Sequence, residues 1–249
     1  MEIITSKNNP KFVLAQKLKQ KKYRQQFELV LLEGEKLILD ALENNVEIDT
    51  LFTGKEKIEF LNKVDATEKF ILDEKLCKAL TTMVTSPNVF AVAKIPKFLY
   101  KKSNNVLVLD KVQNPDNLGA IIRSAVATNF TTIYAIDSVD IYNEKTLRSS
   151  MGNVFKVDFI KTDYQSLKTL LCDYQICVAD MFGENIFKVN KMPSNVALVI
   201  GNEGNGISTE IMEICNRKFE IPMDNNVESL NASVSAGIIM YQIKTKQGE

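Results

Sequence analysis

The chain has 249 residues, 45% hydrophobic and 25% charged, with 31 Lys and Arg against 31 Asp and Glu. Those proportions suit a soluble globular chain, and a balanced net charge argues neither for nor against nucleic acid. Histidine is absent, which excludes a Ser–His triad, a histidine general base and a histidine metal site.

The charge is unevenly spread. Residues 1–30 carry Lys7, Lys11, Lys17, Lys19, Lys21, Lys22 and Arg24 against Glu2 and Glu28. Such a basic arm is either a phosphate-seeking surface or a solvated helix face. No apolar run reaches the roughly 18 residues of a membrane span, and MEIITSKNNPKF lacks the apolar core of a signal peptide. Cys77, Cys172, Cys177 and Cys215 match no zinc or redox spacing. The expectation is a cytoplasmic protein with buried, reduced thiols, no membrane span and no metal.

The first hundred residues alternate between helical and extended patterns. KFVLAQKLKQKKY reads as one helix, with Pro10 near its first turn. FELVLLEG reads as a strand, GEKLILDALENN as a helix with apolar Leu37, Ile38, Ala41 and Leu42, and IDTLFTG and EKFILD as strands. DEKLCKALTT is a short helix and NVFAVAKI a strand. Residues 1–95 are therefore expected to form a small α/β domain. Residues 96–104, with Pro96, a lysine pair and asparagines, are expected to be a linker to a second domain over 105–249.

NVLVLD opens the second half with an apolar run, which suits a strand buried on both faces of a parallel sheet. In the following segment Leu118, Ile121, Ile122, Ala125 and Val126 recur at helical spacing. TTIYAIDS, YQICVADM, NVALVIG and KFEIPM read as strands. SLKTLLCDY, STEIMEIC and ESLNASVSAGIIMYQIK read as helices. This alternation predicts a parallel α/β domain, and ligands of such sheets sit beyond the carboxyl ends of the strands. The loops after LVLD, LVIG and EIPM therefore carry the interest.

In loop one, NPDNLGAIIRS, Asn117 lies near the helix start, where capping is the plain role. Arg123 lies among apolar residues, where burial is costly without an anionic partner. In loop two, GNEGNG, glycines stand at 201, 204 and 206, the wrong order for the dinucleotide fingerprint. No Walker lysine follows, and Glu203 is a poor neighbour for phosphate. Glycines after a buried strand mark a close approach of backbone, to a ligand or within a tight turn. In loop three, Glu228 or Ser229 is placed to cap the last helix. Ala232, Ser233, Ser235, Ala236 and Gly237 make that helix slim, for dense packing in the core, against a second subunit or against a threaded loop.

NPDNLGAIIRSA, LRSSMGNVFKV, LVIGNEGNGIS and IPMDNNVESLNASVSAGI, in this order, resemble the motifs of the SpoU class of SPOUT RNA methyltransferases. LLEGEKLILDAL and TSPNVFAVAK more loosely resemble the small substrate-binding domain that precedes many of them. Asn129 stands where the family usually has glycine, and Asn tolerates the left-handed conformation at a helix end. The resemblance implies a parallel α/β domain with a deep trefoil knot, homodimers with the site at the interface, and methyl transfer from S-adenosylmethionine to a ribose 2′-hydroxyl. Ribosomal RNA is the expected substrate, with transfer RNA next. It further implies cofactor contacts at Gly201, Ile221 and Leu230, and an active site of Asn117, Arg123, Glu203, Ser229 and Asn231. The competing readings are a catalytically inactive RNA-binding protein on the same scaffold, a nicotinamide oxidoreductase disfavoured by the glycine order, and a methyltransferase acting on a base nitrogen.

Overall fold

The computed structural model describes residues 2–97, 103–224 and 228–248. Part of the expected linker (98–102) and part of loop three (225–227) lie outside the described residues. The chain divides into two units, one of Met1–Lys97 with Tyr142–Phe155 and one of Phe98–Ile141 with Lys156–Glu249. The excursion of Tyr142–Phe155 into the first unit is not anticipated by the sequence pattern.

The first unit holds the strands β1 (Glu2–Ile4), β2 (Leu29–Glu33), β3 (Ile48–Thr53), β4 (Glu68–Leu72) and β5 (Val89–Lys94) in the order β1-β4-β3-β5-β2. β5 runs antiparallel to β2 and β3, and the other pairings are parallel. The sequence pattern does not mark the short strand β1, of which only Ile4 is buried. Phe12, Phe52 and Phe90 are fully buried in the core of this unit.

The first predicted helix is two helices, α1 (Pro10–Lys17) and α2 (Lys21–Phe27). Asn9 caps α1 by accepting from the Lys11 N–H, with Pro10 at the first helical position, where its missing N–H costs nothing. The break is held by Arg24, which is buried and donates from Nη1 to the carbonyls of Leu18 at 2.8 Å and Lys19 at 2.9 Å. Those carbonyls are freed where α1 ends. The helices α3 (Glu35–Glu43) and α4 (Glu74–Leu80) follow the sequence pattern. The excursion contributes α6 (Glu144–Ser149). Its Arg148 donates to Thr82 Oγ1 at 2.9 Å, and that hydroxyl donates to Glu33 Oε2 at 2.8 Å.

The second unit is a wholly parallel sheet of β6 (Asn105–Asp110), β7 (Thr132–Ile136), β8 (Asp158–Lys161), β9 (Gln175–Asn185), β10 (Val196–Ile200) and β11 (Arg217–Glu220). The spatial order is β11-β9-β10-β6-β7-β8. β6, β7 and β10 are buried along their whole length, as expected of central parallel strands. Each buried Val, Leu or Ile side chain contributes about 1.5–3 kcal/mol. α5 (Pro115–Ala127) follows β6, and Asn129 beyond it has φ 65°, the left-handed conformation expected there. α7 (Tyr164–Leu170) covers the sheet, and α8 (Thr209–Met212) is one turn rather than the longer helix that STEIMEIC suggests. α9 (Ala232–Lys246) packs on α5, with the position of a Gly237 side chain 3.4 Å from Ser124 Oγ. Its slim face therefore includes tight helix–helix packing within the chain.

Cys77 and Cys177 are buried and Cys215 is half-buried, but Cys172 is exposed, which corrects the expectation of four buried thiols. Burial pushes the Cys177 thiol up to about 12. Among the described residues no helix is long and apolar enough to cross a membrane.

Candidate functional site

β6 lies mid-sheet, with its successors β7 and β8 on one side and β10 and β9 on the other. Strand order thus reverses between β6 and β10, and loops one and two leave that crevice together. The pairing of Ile200 with Leu109 sets the two strand ends level.

Loop two is a closed hairpin. Asn202 and Gly206 exchange backbone hydrogen bonds at 2.9 and 3.0 Å, and Asn202 Oδ1 accepts the N–H groups of Gly204 and Asn205. Gly206 has φ 70°. A Cβ on Gly201 would lie 2.4 Å from the Gly206 carbonyl oxygen, so only glycine fits. The close approach is to the loop's own backbone.

Two ties fasten this hairpin to loop one, and a third joins the segment after it to the end of β6. Asn202 Nδ2 donates to the carbonyl of Lys111 at 2.8 Å, a residue held at φ 58°. The Glu203 carboxylate accepts from the N–H groups of Gln113 (3.2 Å) and Asn114 (3.1 Å) and from Asn117 Nδ2 (3.0 Å). Ser208 donates its N–H to Asp110 Oδ2 at 2.7 Å, while Asp110 Oδ1 accepts from the Tyr164 hydroxyl at 2.8 Å. Partial burial pushes the Glu203 carboxyl up, but the hydrogen bonds from Asn117, Gln113 and Asn114 outweigh it and hold it below the usual carboxylate range.

Asn117 is not the cap of α5. Asn114 is, accepting from the N–H groups of Asp116 and Asn117, because Pro115 takes the first helical position. Asn117 is buried instead, and its Oδ1 accepts from Asn231 Nδ2 at 2.8 Å. Asn231, rather than Glu228 or Ser229, caps α9, accepting the N–H groups of Ser233 and Val234. One polar chain therefore runs from Glu203 through Asn117 to Asn231 and joins all three loops.

These loops enclose a pocket of about 1200 Å³. Gly201, Ile221 and Leu230 line it, as do Asn117, Glu203, Ser229 and Asn231. Arg123 does not. It is exposed on α5, away from the buried face that its apolar neighbours suggest, since Leu118, Ile121, Ile122 and Ala125 turn to the core and Arg123 does not. The remaining wall is largely apolar, with Ile200, Ile207, Phe219 and Ile239. Its charged lining residues are Asp180, Glu203 and Glu228, with no Lys or Arg among the described residues. Such a pocket repels phosphate and suits an amphipathic ligand carrying positive charge.

Residues 104–241 match the SpoU rRNA Methylase family. The chain belongs to that family. Residues 9–91 match the MRM3-like substrate binding domain. A relative in Bacillus subtilis, named 23S rRNA (guanosine(2553)-2′-O)-methyltransferase RlmP, is 29% identical over 247 residues, 98% of this chain and 100% of its own. The AdoMet-bound rRNA methyltransferase from Sinorhizobium meliloti superposes with a TM-score of 0.87 at 24% identity, covering 98% of this chain and 97% of that one. The SpoU methyltransferase AviRb from Streptomyces viridochromogenes, solved in complex with AdoMet, has a TM-score of 0.85 at 24% identity, covering 96% and 98%. These solved structures share the α/β fold with its N-terminal domain.

Within this SpoU chain Asp110, Asn114, Asn202 and Asp180 stand at the site without a spacing pattern that marks them in the sequence. Asp110 had a signal: a carboxylate ending a buried apolar strand needs partners. Asn202 and Asn114 make only local or backbone bonds, a role that many asparagines have in turns.

Proposed function

We propose that this chain transfers the methyl group of S-adenosylmethionine to a ribose 2′-hydroxyl of ribosomal RNA, as a cytoplasmic homodimer. The observation that carries the reading is the acidic pocket at the β6–β10 switch, part apolar and part polar, rimmed by the Glu203–Asn117–Asn231 chain. Family membership and the name of the full-length Bacillus subtilis relative support it. The trefoil knot implied by the motifs belongs to the same reading, with family membership as its support.

The residues present fit the cofactor. The apolar wall suits an adenine ring, and the carboxylates suit a sulfonium and an ammonium. Gly201, Ile221 and Leu230 would hold it, largely through backbone. When bound, S-adenosylmethionine supplies an electrophilic methyl group.

The chain's own residues then orient and polarise the ribose. Orientation alone supplies several kcal/mol of barrier reduction. A guanidinium is a forked donor with no acceptor, so Arg123 serves as a charge stabiliser for the ribose oxygen or its neighbouring phosphate. That Arg123 is exposed and outside the pocket of its own chain supports a role across the dimer, in the pocket of a second copy. Asn231 and Ser229 orient the ribose, and Glu203 holds loop two against loop one.

The test is transfer of labelled methyl from S-adenosylmethionine to total RNA of a strain lacking the gene, followed by mapping of the modified ribose. Label in 23S ribosomal RNA at a 2′-oxygen is expected. Label in transfer RNA would move the substrate, label on a base would overturn the ribose reading, and no label with intact RNA binding would mark an inactive scaffold.

A further inference from the structure

We infer that the corner between α1 and α2 is a docking surface for unpaired RNA, with Phe27 stacking a base and Lys17, Lys21 and Lys22 taking the flanking phosphates. The inference rests on the RNA substrate proposed above and specifies where the first unit grips it.

Apart from Lys7, which is exposed ahead of α1, the basic arm sorts into two groups once folded. Lys11 pairs with Glu68, Lys19 is partly buried and donates to the Ala79 carbonyl, and Arg24 is buried against the end of α1. Those three are structural. Lys17, Lys21 and Lys22 are exposed, and none has a carboxylate partner among the described residues. The nearest acidic residue in sequence, Glu28, is engaged by Lys97.

These free lysines surround an aromatic pair. Tyr23 and Phe27, one helical turn apart, stack with centroids 6.2 Å apart and planes 11° from parallel. Lys22 Nζ lies 4.6 Å and Lys17 Nζ 5.6 Å from the Tyr23 centroid, so the ring holds both ammonium groups beside the stack. Phe27 is 40% exposed. An exposed ring backed by a second ring and flanked by unneutralised cations is the combination that binds single-stranded nucleic acid. The exposed apolar area is one side chain, too little for a lipid surface, and the excess charge is complementary to phosphates.

The test uses the full chain, a fluorescein-labelled single-stranded oligoribonucleotide, the same strand in a duplex, and unmodified 23S ribosomal RNA transcribed in vitro. Phe27→Leu keeps an apolar side chain but cannot stack. It is expected to weaken single-strand binding about tenfold, to leave duplex binding unchanged and to raise KM for 23S RNA, with Phe27→Trp restoring both. Lys21→Gln with Lys22→Gln is expected to weaken both probes and to lower the salt slope by about one to two. Circular dichroism and S-adenosylmethionine affinity matching the parent keep the fold out of the comparison. Parent-like binding and salt slope in both variants would overturn the surface while leaving the methyltransferase reading intact. A parent that binds RNA but methylates none would overturn that reading while leaving the surface intact.

Discussion

Asn231 donates its carboxamide N–H to Asn117 Oδ1 at 2.8 Å, across 114 residues of chain. The bond fixes which way both amides point. Asn117 Nδ2 faces Glu203, and Asn231 Oδ1 faces the N–H groups that open α9. The start of α5, the tip of loop two and the start of α9 therefore form one polar unit at the pocket rim.

Asn117→Ala should leave Asn231 Nδ2 without its acceptor and Glu203 short of a donor, costing about 1–3 kcal/mol of stability. Asn117→Asp should cost more at neutral pH, because a second carboxylate would then face Glu203. The excess should shrink as pH falls and one of the two carboxylates takes a proton. Thermal unfolding of both variants across the acid range checks the ordering, which a purely steric role for Asn117 would not produce.

Glu203 has a folded-state carboxyl held below its ordinary range by its hydrogen bonds. Its contribution is therefore present above the unfolded value of about 4.3 and is lost as pH falls through the folded value. Glu203→Gln should be less stable than the parent at neutral pH, and the difference should close as pH falls through the folded value. Urea unfolding at a series of pH values measures this; a gap independent of pH would contradict it.

A methyl group at Gly201 would lie 2.4 Å from the backbone oxygen of Gly206, which no side-chain rotation relieves. Gly201→Ala should open the Asn202–Gly206 hairpin and weaken S-adenosylmethionine binding by about tenfold or more, seen by calorimetric titration. Gly204→Ala, whose added carbon would meet nothing closer than 3.7 Å, should bind as the parent does.

Arg123→Ala should keep cofactor affinity, since Arg123 lies outside the pocket lining, and lose about a hundredfold or more in methyl transfer. Arg123→Lys should recover little, because an ammonium lacks the planar fork. Single-turnover transfer with saturating RNA reads this out, and normal turnover in the alanine variant would remove Arg123 from the chemistry. Mixing Arg123→Ala with a Gly201→Ala variant should restore transfer in part if the arginine serves the second copy's pocket.

Most of the regular elements were legible in the sequence because local rules set them. The apolar runs NVLVLD and VALVI became fully buried parallel strands, and Asn9 and Pro10 opened a helix where capping chemistry places one. The failures are informative. KFVLAQKLKQKKY reads as one helix, and only Arg24 reaching back to the Leu18 and Lys19 carbonyls shows why it is two. Asn117 reads as a cap in isolation, but Asn114 takes that role and releases Asn117 for contacts that lie far away in sequence.

By itself the sequence determined the strand–helix alternation, the motif residues and the exclusion of histidine chemistry, because periodicity, turn residues and side-chain inventory are local properties. Tertiary structure alone decided which residues meet. The reversal of strand order at β6 brings loop one against loop two, the Glu203 carboxylate locks them together, and the same packing turns Arg123 outward. Hydrogen bonds between residues a hundred positions apart depend on sheet order, and sheet order is set by the burial of the whole core.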